Sequence, residues 1–368
     1  MIFYIIPFLF LTILTSIESS KRFNFPINNR FFYYFIALFF IIFIGLRYEI
    51  GCDWEQYKQM FEKYNSLSIS GILKRNLFGE HKLQELGHIL ITKVSKNIYI
   101  LNIIYSTLFS LPLFYFCSKL KSKYFSLLIS YPYYIIVVGM GPIRQAACTS
   151  FLMLSIIYSS NKKYYRHLFL TIISLLIHQF SIIFNGLIFV SSYTNIRKIK
   201  LSKINPLIII IISSIFLFSL PSMIDKIYVY FAYYKKITPD GGMIYPPAKS
   251  AIILWIINFI PSFIFLKNKK IFNLNNYLKS IFTSFCILEI LLLPIILLQS
   301  AIGYRLLLYF LPSSIYITSL IPEINLFNIR KKYTLYFIIS IAFVSLIIWL
   351  KFAYHSSCWV PYKNILFY

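Results

Sequence analysis

Three arginines stand where arginine is costly. Arg47 closes one apolar stretch, Arg144 opens another, and Arg305 lies about one turn into a third. A guanidinium at membrane depth costs at least about 3 kcal/mol, so it needs a partner. Its planar fork of N–H donors suits phosphate oxygens, and a pyrophosphate offers many. Three arginines at one depth point to a shared anionic ligand; the alternatives are snorkelling to the interface or pairing with nearby carboxylates. Asp53 and Glu49 follow Arg47 within Gly45-Leu46-Arg47-Tyr48-Glu49-Ile50-Gly51-Cys52-Asp53. A carboxylate at the mouth of such a site could accept a hydroxyl proton, or it could bridge to Arg47 or cap a helix. His178, in Ile177-His178-Gln179-Phe180-Ser181, suits proton handling or a structural hydrogen bond equally. Glu289 stands mid-stretch among apolar residues and also needs a partner. His167 and the lysines beside it read as loop residues.

The elements that position these residues are apolar spans. The 368 residues are 59% hydrophobic and 13% charged, too apolar for a soluble chain to bury. Stretches long enough to cross a hydrocarbon core of about 30 Å recur from end to end. They fall near 1–17, 31–47, 98–117, 124–141, 142–160, 205–223, 250–267, 280–298, 301–320 and 333–353. The chain opens on an apolar run with no basic region or small-residue cleavage site ahead of it, and this reads as a retained helix.

A net charge of +25 invites a nucleic-acid reading. The basic residues sit in short loops between spans, however, which is the positive-inside pattern. Lys21, Arg22 and Arg30 mark one inside loop, and Lys119, Lys121 and Lys123 a second. Others are Lys162, Lys163 and Arg166; Arg197, Lys198, Lys200 and Lys203; Lys267-Asn268-Lys269-Lys270; and Arg330-Lys331-Lys332. Nucleic acid is thereby excluded as the partner, and membrane lipid takes its place.

If the loops on both sides of 167–192 are inside, that stretch must enter and leave on one face. Its 26 or so residues reach about 39 Å as helix, too short for two crossings and enough for a re-entrant hairpin. Broken helices at membrane depth line cavities. One long span with a topology exception is the alternative. The architecture expected is all-α: a single polytopic transmembrane domain over 1–368, with about ten spans plus the hairpin. Residues 48–97, 224–249 and the tail 354–368 lie outside. Trp54, Tyr57, Met60, Phe61 and Tyr64 recur at helical spacing and predict an amphipathic surface helix, with a second over 84–96. Residues 224–249, with Asp240-Gly241-Gly242 and Pro246-Pro247, read as an external loop.

Cys52 and Cys358 both fall outside the bilayer and could pair; Cys117, Cys148 and Cys286 lie in spans as packing residues. No Walker loop, dinucleotide fingerprint or HExxH is present, so no cofactor and no metal is expected. Trp349 and the many tyrosines fit interfacial belts.

Four short segments, in order, resemble the EpsG family of membrane polysaccharide polymerases, which is similar to the Wzy-type O-antigen and capsule polymerases. They are Gly45-Leu46-Arg47-Tyr48 through Gly51, Asp53 and Tyr57; Pro142-Ile143-Arg144-Gln145-Ala146; Ile177-His178-Gln179; and Gly303-Tyr304-Arg305. The ending Trp359-Val360-Pro361-Tyr362 is also similar. Gln179 departs from the family, which often has a second His or another polar residue there. The resemblance implies a GT-C-like glycosyltransferase in the bacterial cytoplasmic (inner) membrane that joins undecaprenyl-pyrophosphate-linked repeat units on its outer face. It implies Asp53 and His178 as catalytic groups, and Arg47, Tyr57, Arg144, Gln145, Tyr304 and Arg305 as substrate-binding residues. A chain-length regulator and a flippase would be its partner proteins. Two other activities would use similar residues: a flippase or transporter of lipid-linked glycans, with charges spread along a path, and an O-antigen ligase.

Overall fold

The computed structural model describes residues 1–20, 30–68, 85–194, 224, 227–228, 249–298, 300–324 and 329–367. Among them the structure is helical, with no strand and one isolated bridge, Arg47 to Asn364. The expected span 205–223, nearly all of loop 224–249, and the basic group Arg197 to Lys203 lie outside the described residues.

The chain divides into two compact units. The first comprises Met1–Ser66, Ile89–Leu154 and Ile315–Tyr368. Its long helices are α1 (Ile2–Ser20) and α2 (Arg30–Gly45). The largely exposed α3 (Trp54–Ser66) follows, and then α4 (Leu86–Val94), which joins this unit from Ile89 on and buries Ile89 and Thr92. Then come α5 (Ile98–Ser118) and α6 (Lys123–Ser130), which widens into a π-helix over Tyr131–Val138. Next is α7 (Ile143–Ser160), of which this unit holds the first part. Asn97 caps α5 by accepting from the Ile100 amide at 2.9 Å.

Packing in this unit is set by close approaches. A Cβ on Gly45 would stand 2.6 Å from Ser106 Oγ, so α2 presses directly on α5. Glu18 accepts from the Ser122 hydroxyl and the Lys123 and Tyr124 amides, and Glu323 pairs with Lys121 and Lys331. The other end of the helices gathers Tyr4, Arg47, Met140 and the tail. The unit therefore has a basic end and a site-bearing end.

The second unit comprises Leu67–His88 and Ser155–Ser314. It holds α8 (Tyr164–Ile177), α9 (Ser181–Thr194), α10 (Lys249–Lys267), α11 (Asn276–Leu291), α12 (Leu293–Leu298) and α13 (Ser300–Leu307). A 3₁₀ turn, Leu308–Phe310, leads into α14 (Leu311–Leu320), and α15 (Lys331–Phe352) completes the first unit. The stretch 167–192 is two helices of 14 residues, about 21 Å each, parted at His178 to Phe180.

The expected spans that fall among the described residues are helical, and their lengths differ. Five helices among the described residues are long and apolar enough to cross a membrane: Ile2–Ser20, Ile98–Ser118, Asn276–Leu298, Ser300–Glu323 and Lys331–Phe352. Other expected spans are helical but shorter, such as α2 with 16 residues. The expected span 142–160 is α7, an interior helix with Gln145, Thr149, Ser150, Ser155 and Ser159 all buried. His167 is no loop residue either: it is 1% exposed within α8 and stacks on Phe189 at 6.3 Å. Trp349 packs edge-on against Trp359, with centroids 5.0 Å apart.

Candidate functional site

The loop between α2 and α3 turns sharply. Gly51 has φ +98°, and a Cβ there would lie 2.2 Å from the Met140 carbonyl oxygen. Only glycine fits. This turn sets Asp53 immediately ahead of α3, where Tyr57 follows one helical turn later. Asp53 is half-buried and makes no ion pair among the described residues.

Tyr57 is buried and meets Arg144. Its hydroxyl oxygen is hydrogen-bonded by the Arg144 side chain and backbone amide, and the guanidinium lies 5.6 Å from the ring centroid. Burial raises the Tyr57 pKa above its usual value; Arg144 pulls it back and Asp53 raises it further. Arg144 is half-buried in the first turn of α7, an 18-residue helix. The positive end of that helix adds to the guanidinium charge, a combination suited to anions. Gln145, 3% exposed, follows it. Asp53, Tyr57 and Arg144 thus come together in the first unit.

Arg47 is tied into the protein by its side chain. Its guanidinium is 1% exposed and faces inward. Nε donates to the Ile50 carbonyl at 3.1 Å, Nη1 to the Ile44 carbonyl at 2.8 Å and Nη2 to Asn102 Oδ1 at 3.1 Å. Trp54 covers it at 5.8 Å. Three of its five N–H groups are already taken, and one serves the otherwise unpaired last turn of α2. Arg47 is a strut that binds α2, the Gly51 turn and α5 together. It does not pair with Asp53, and Glu49 lies 4.0 Å from Lys363.

In the second unit His178 adopts an extended conformation, φ −154° and ψ 113°, which ends α8 and lets α9 begin. Its Nδ1 lies 2.8 Å from the Tyr309 hydroxyl, and Phe184 stacks on the Tyr309 ring at 4.6 Å. Tyr304 and Arg305 are half-buried on α13, just upstream of Tyr309. A Cβ on Gly303 would stand 2.7 Å from the Ile296 Cα, so α13 folds tightly against α12 there. Glu289 finds its partner in Ser262, which donates to Oε2 at 2.6 Å.

Asn102 and Tyr309 were not singled out in the sequence. Asn102 carried a signal, a lone amide in an apolar span; Tyr309 is one of 31 tyrosines and carried none. The Cys52–Cys358 pairing is present, with a Cα–Cα distance of 5.2 Å. Among the described residues no group of His, Cys, Asp and Glu could hold a metal ion.

The family model described as the EpsG family matches residues 30–364. No curated protein and no solved structure matches the chain.

Proposed function

The chain belongs to the EpsG family, whose members are Wzy-like polymerases, and from that premise we propose that it joins lipid-linked oligosaccharide repeats on the outer face of the cytoplasmic membrane. The donor is a growing glycan on undecaprenyl pyrophosphate, and the acceptor is one new repeat on the same carrier. An acceptor hydroxyl attacks the donor's anomeric carbon, the bond from that carbon to the pyrophosphate oxygen breaks, and the hydroxyl proton passes to Asp53. The departing pyrophosphate carries the charge that develops. Arg144 and the N-terminus of α7 stabilise it, with Tyr57 holding that guanidinium in place and Gln145 as a further substrate contact. In the second unit, Tyr304 and Arg305 offer contacts for an anionic or sugar group, and His178, its ring fixed by Tyr309, offers a hydrogen bond or a base of its own. A GT-C-like bundle with the hairpin 167–192 dipping in from one face would give lipid substrates lateral access.

The observation that carries this reading is the Asp53–Tyr57–Arg144 constellation. It places a half-buried carboxylate with no ion pair among the described residues close to a cation at a helix N-terminus. The test is the glycan length profile of a deletion strain complemented with variants. Wild type restores long polymer, whereas Arg144→Ala, Arg144→Lys and Asp53→Asn leave single repeats on the outer leaflet. Wild-type polymer lengths from Arg144→Ala inserted at normal levels would refute it. Single repeats held on the inner leaflet would instead identify a transporter.

A further inference from the structure

Beyond α15 the chain returns to the site-bearing end of the first unit and is tied there at two places. The first tie holds the turn that carries Asp53. Cys358 is bonded to Cys52, and its carbonyl accepts from the Gly51 amide at 2.9 Å. Downstream, the Tyr48 amide donates to the Lys363 carbonyl at 3.0 Å and the Ile365 amide to the Leu46 carbonyl at 2.9 Å. The second tie holds the turn that precedes Arg144. The Trp359 indole Nε1 donates to the Ile136 carbonyl in the π-helical stretch at 3.0 Å. Its ring lies so close to Gly141 that a Cβ there would be 3.3 Å away. The Trp359 carbonyl accepts from the Tyr4 hydroxyl at 2.7 Å, and the residue is 4% exposed.

Two adjacent residues, Cys358 and Trp359, therefore grip the two segments whose relative placement sets the distance from Asp53 to Arg144. We propose that the C-terminal tail is a positioning clamp for the site, with Cys358 and Trp359 as positioning residues that never touch substrate. This inference rests on the polymerase reading given above. A clamp of this kind acts on alignment and not on the supply of binding groups. A displacement of about 1 Å between a base and a charge-stabilising group can cost on the order of 100-fold in rate. A loosened clamp should therefore lower kcat and leave KM nearly unchanged, because Arg144 still holds the phosphate.

The test uses the purified full-length protein and a lipid-linked repeat, with rates expressed per folded molecule after size-exclusion chromatography. Mild reductant applied to the folded wild type should lower kcat at least about 10-fold with KM within about threefold. Reoxidation should restore the rate. The Cys52→Ser/Cys358→Ser variant should show the low kcat from the start and ignore reductant. Trp359→Phe keeps the ring and loses the indole N–H, so it should fall between that variant and wild type. The remaining cysteines, Cys117, Cys148 and Cys286, are buried thiols and offer the reductant nothing to cleave. Wild-type kcat after reduction, or in the folded Cys52→Ser/Cys358→Ser variant, overturns the clamp. A rise in KM with unchanged kcat overturns it as well. Arg144→Ala with the tail intact separates the two ideas. If that variant is fully active the polymerase site is wrong; if it is inactive while the tail variants are normal, the clamp alone fails.

Discussion

Arg47→Lys distinguishes a strut from a ligand holder. The guanidinium gives separate N–H donors to Ile44, Ile50 and Asn102, which lie in three directions around it. A lysine ammonium on a shorter reach can replace one of these bonds and leaves two acceptors buried without a donor. Hydrogen bonds to charged groups contribute about 1.5–3 kcal/mol each. Losing two amounts to roughly 3–6 kcal/mol. For a unit of this size that lowers the melting midpoint on the order of 10 °C. The assay is thermal unfolding of the detergent-solubilised protein, read by the fraction that remains monodisperse after heating. The expected result is a lowered midpoint, with activity per folded molecule within about threefold of wild type. A variant that melts like wild type but makes no polymer would refute the strut and return Arg47 to the substrate.

Three further outcomes follow from the same geometry. Gly51→Ala forces a side chain into positive φ against the Met140 carbonyl, at a cost of at least about 1–3 kcal/mol; it should lower both yield and polymer length, and wild-type behaviour in both would contradict the turn. Tyr309→Phe removes the hydroxyl beside His178 Nδ1, a bond worth about 1 kcal/mol; repeat incorporation should slow by roughly 3- to 10-fold in a single-turnover assay, and an unchanged rate would mean that the ring needs no such support. Glu289→Gln keeps an acceptor for Ser262 and removes the charge; folding and polymer length should stay normal, and loss of polymer from folded protein would assign Glu289 a chemical role.

The helices were legible in the sequence because apolar runs and basic loops are local signals. The break at His178 was legible for the same reason, since His178-Gln179 interrupts an otherwise apolar stretch. The inward turn of Arg47 was not. An arginine at a span end can snorkel, bind a ligand or turn inward. The choice depends on whether carbonyls from Ile44 and Ile50 and the amide of Asn102 converge on it, which is a tertiary fact. The expected end of the α2 span ran two residues past Gly45, because hydropathy does not mark the last helical turn. That α7 would be an interior helix was not legible, since the burial of its Ser and Thr row depends on the helices around it. His167 was misread because its neighbours Lys162, Lys163 and Arg166 are loop-like, although the helix begins at Tyr164. The Cys52–Cys358 pairing was suggested by placement outside the bilayer, but the grip of Trp359 on Ile136 spans 223 positions and leaves no local trace.

Reconstitution tests the polymerase activity most directly. Purified protein in lipid nanodiscs is given undecaprenyl-pyrophosphate-linked single repeats and no nucleotide sugar. The expected result is a ladder of longer glycans, one released undecaprenyl pyrophosphate for each new linkage, and no ladder with Arg144→Ala. Repeats that remain single, or a ladder that forms equally well with folded Arg144→Ala, would contradict it.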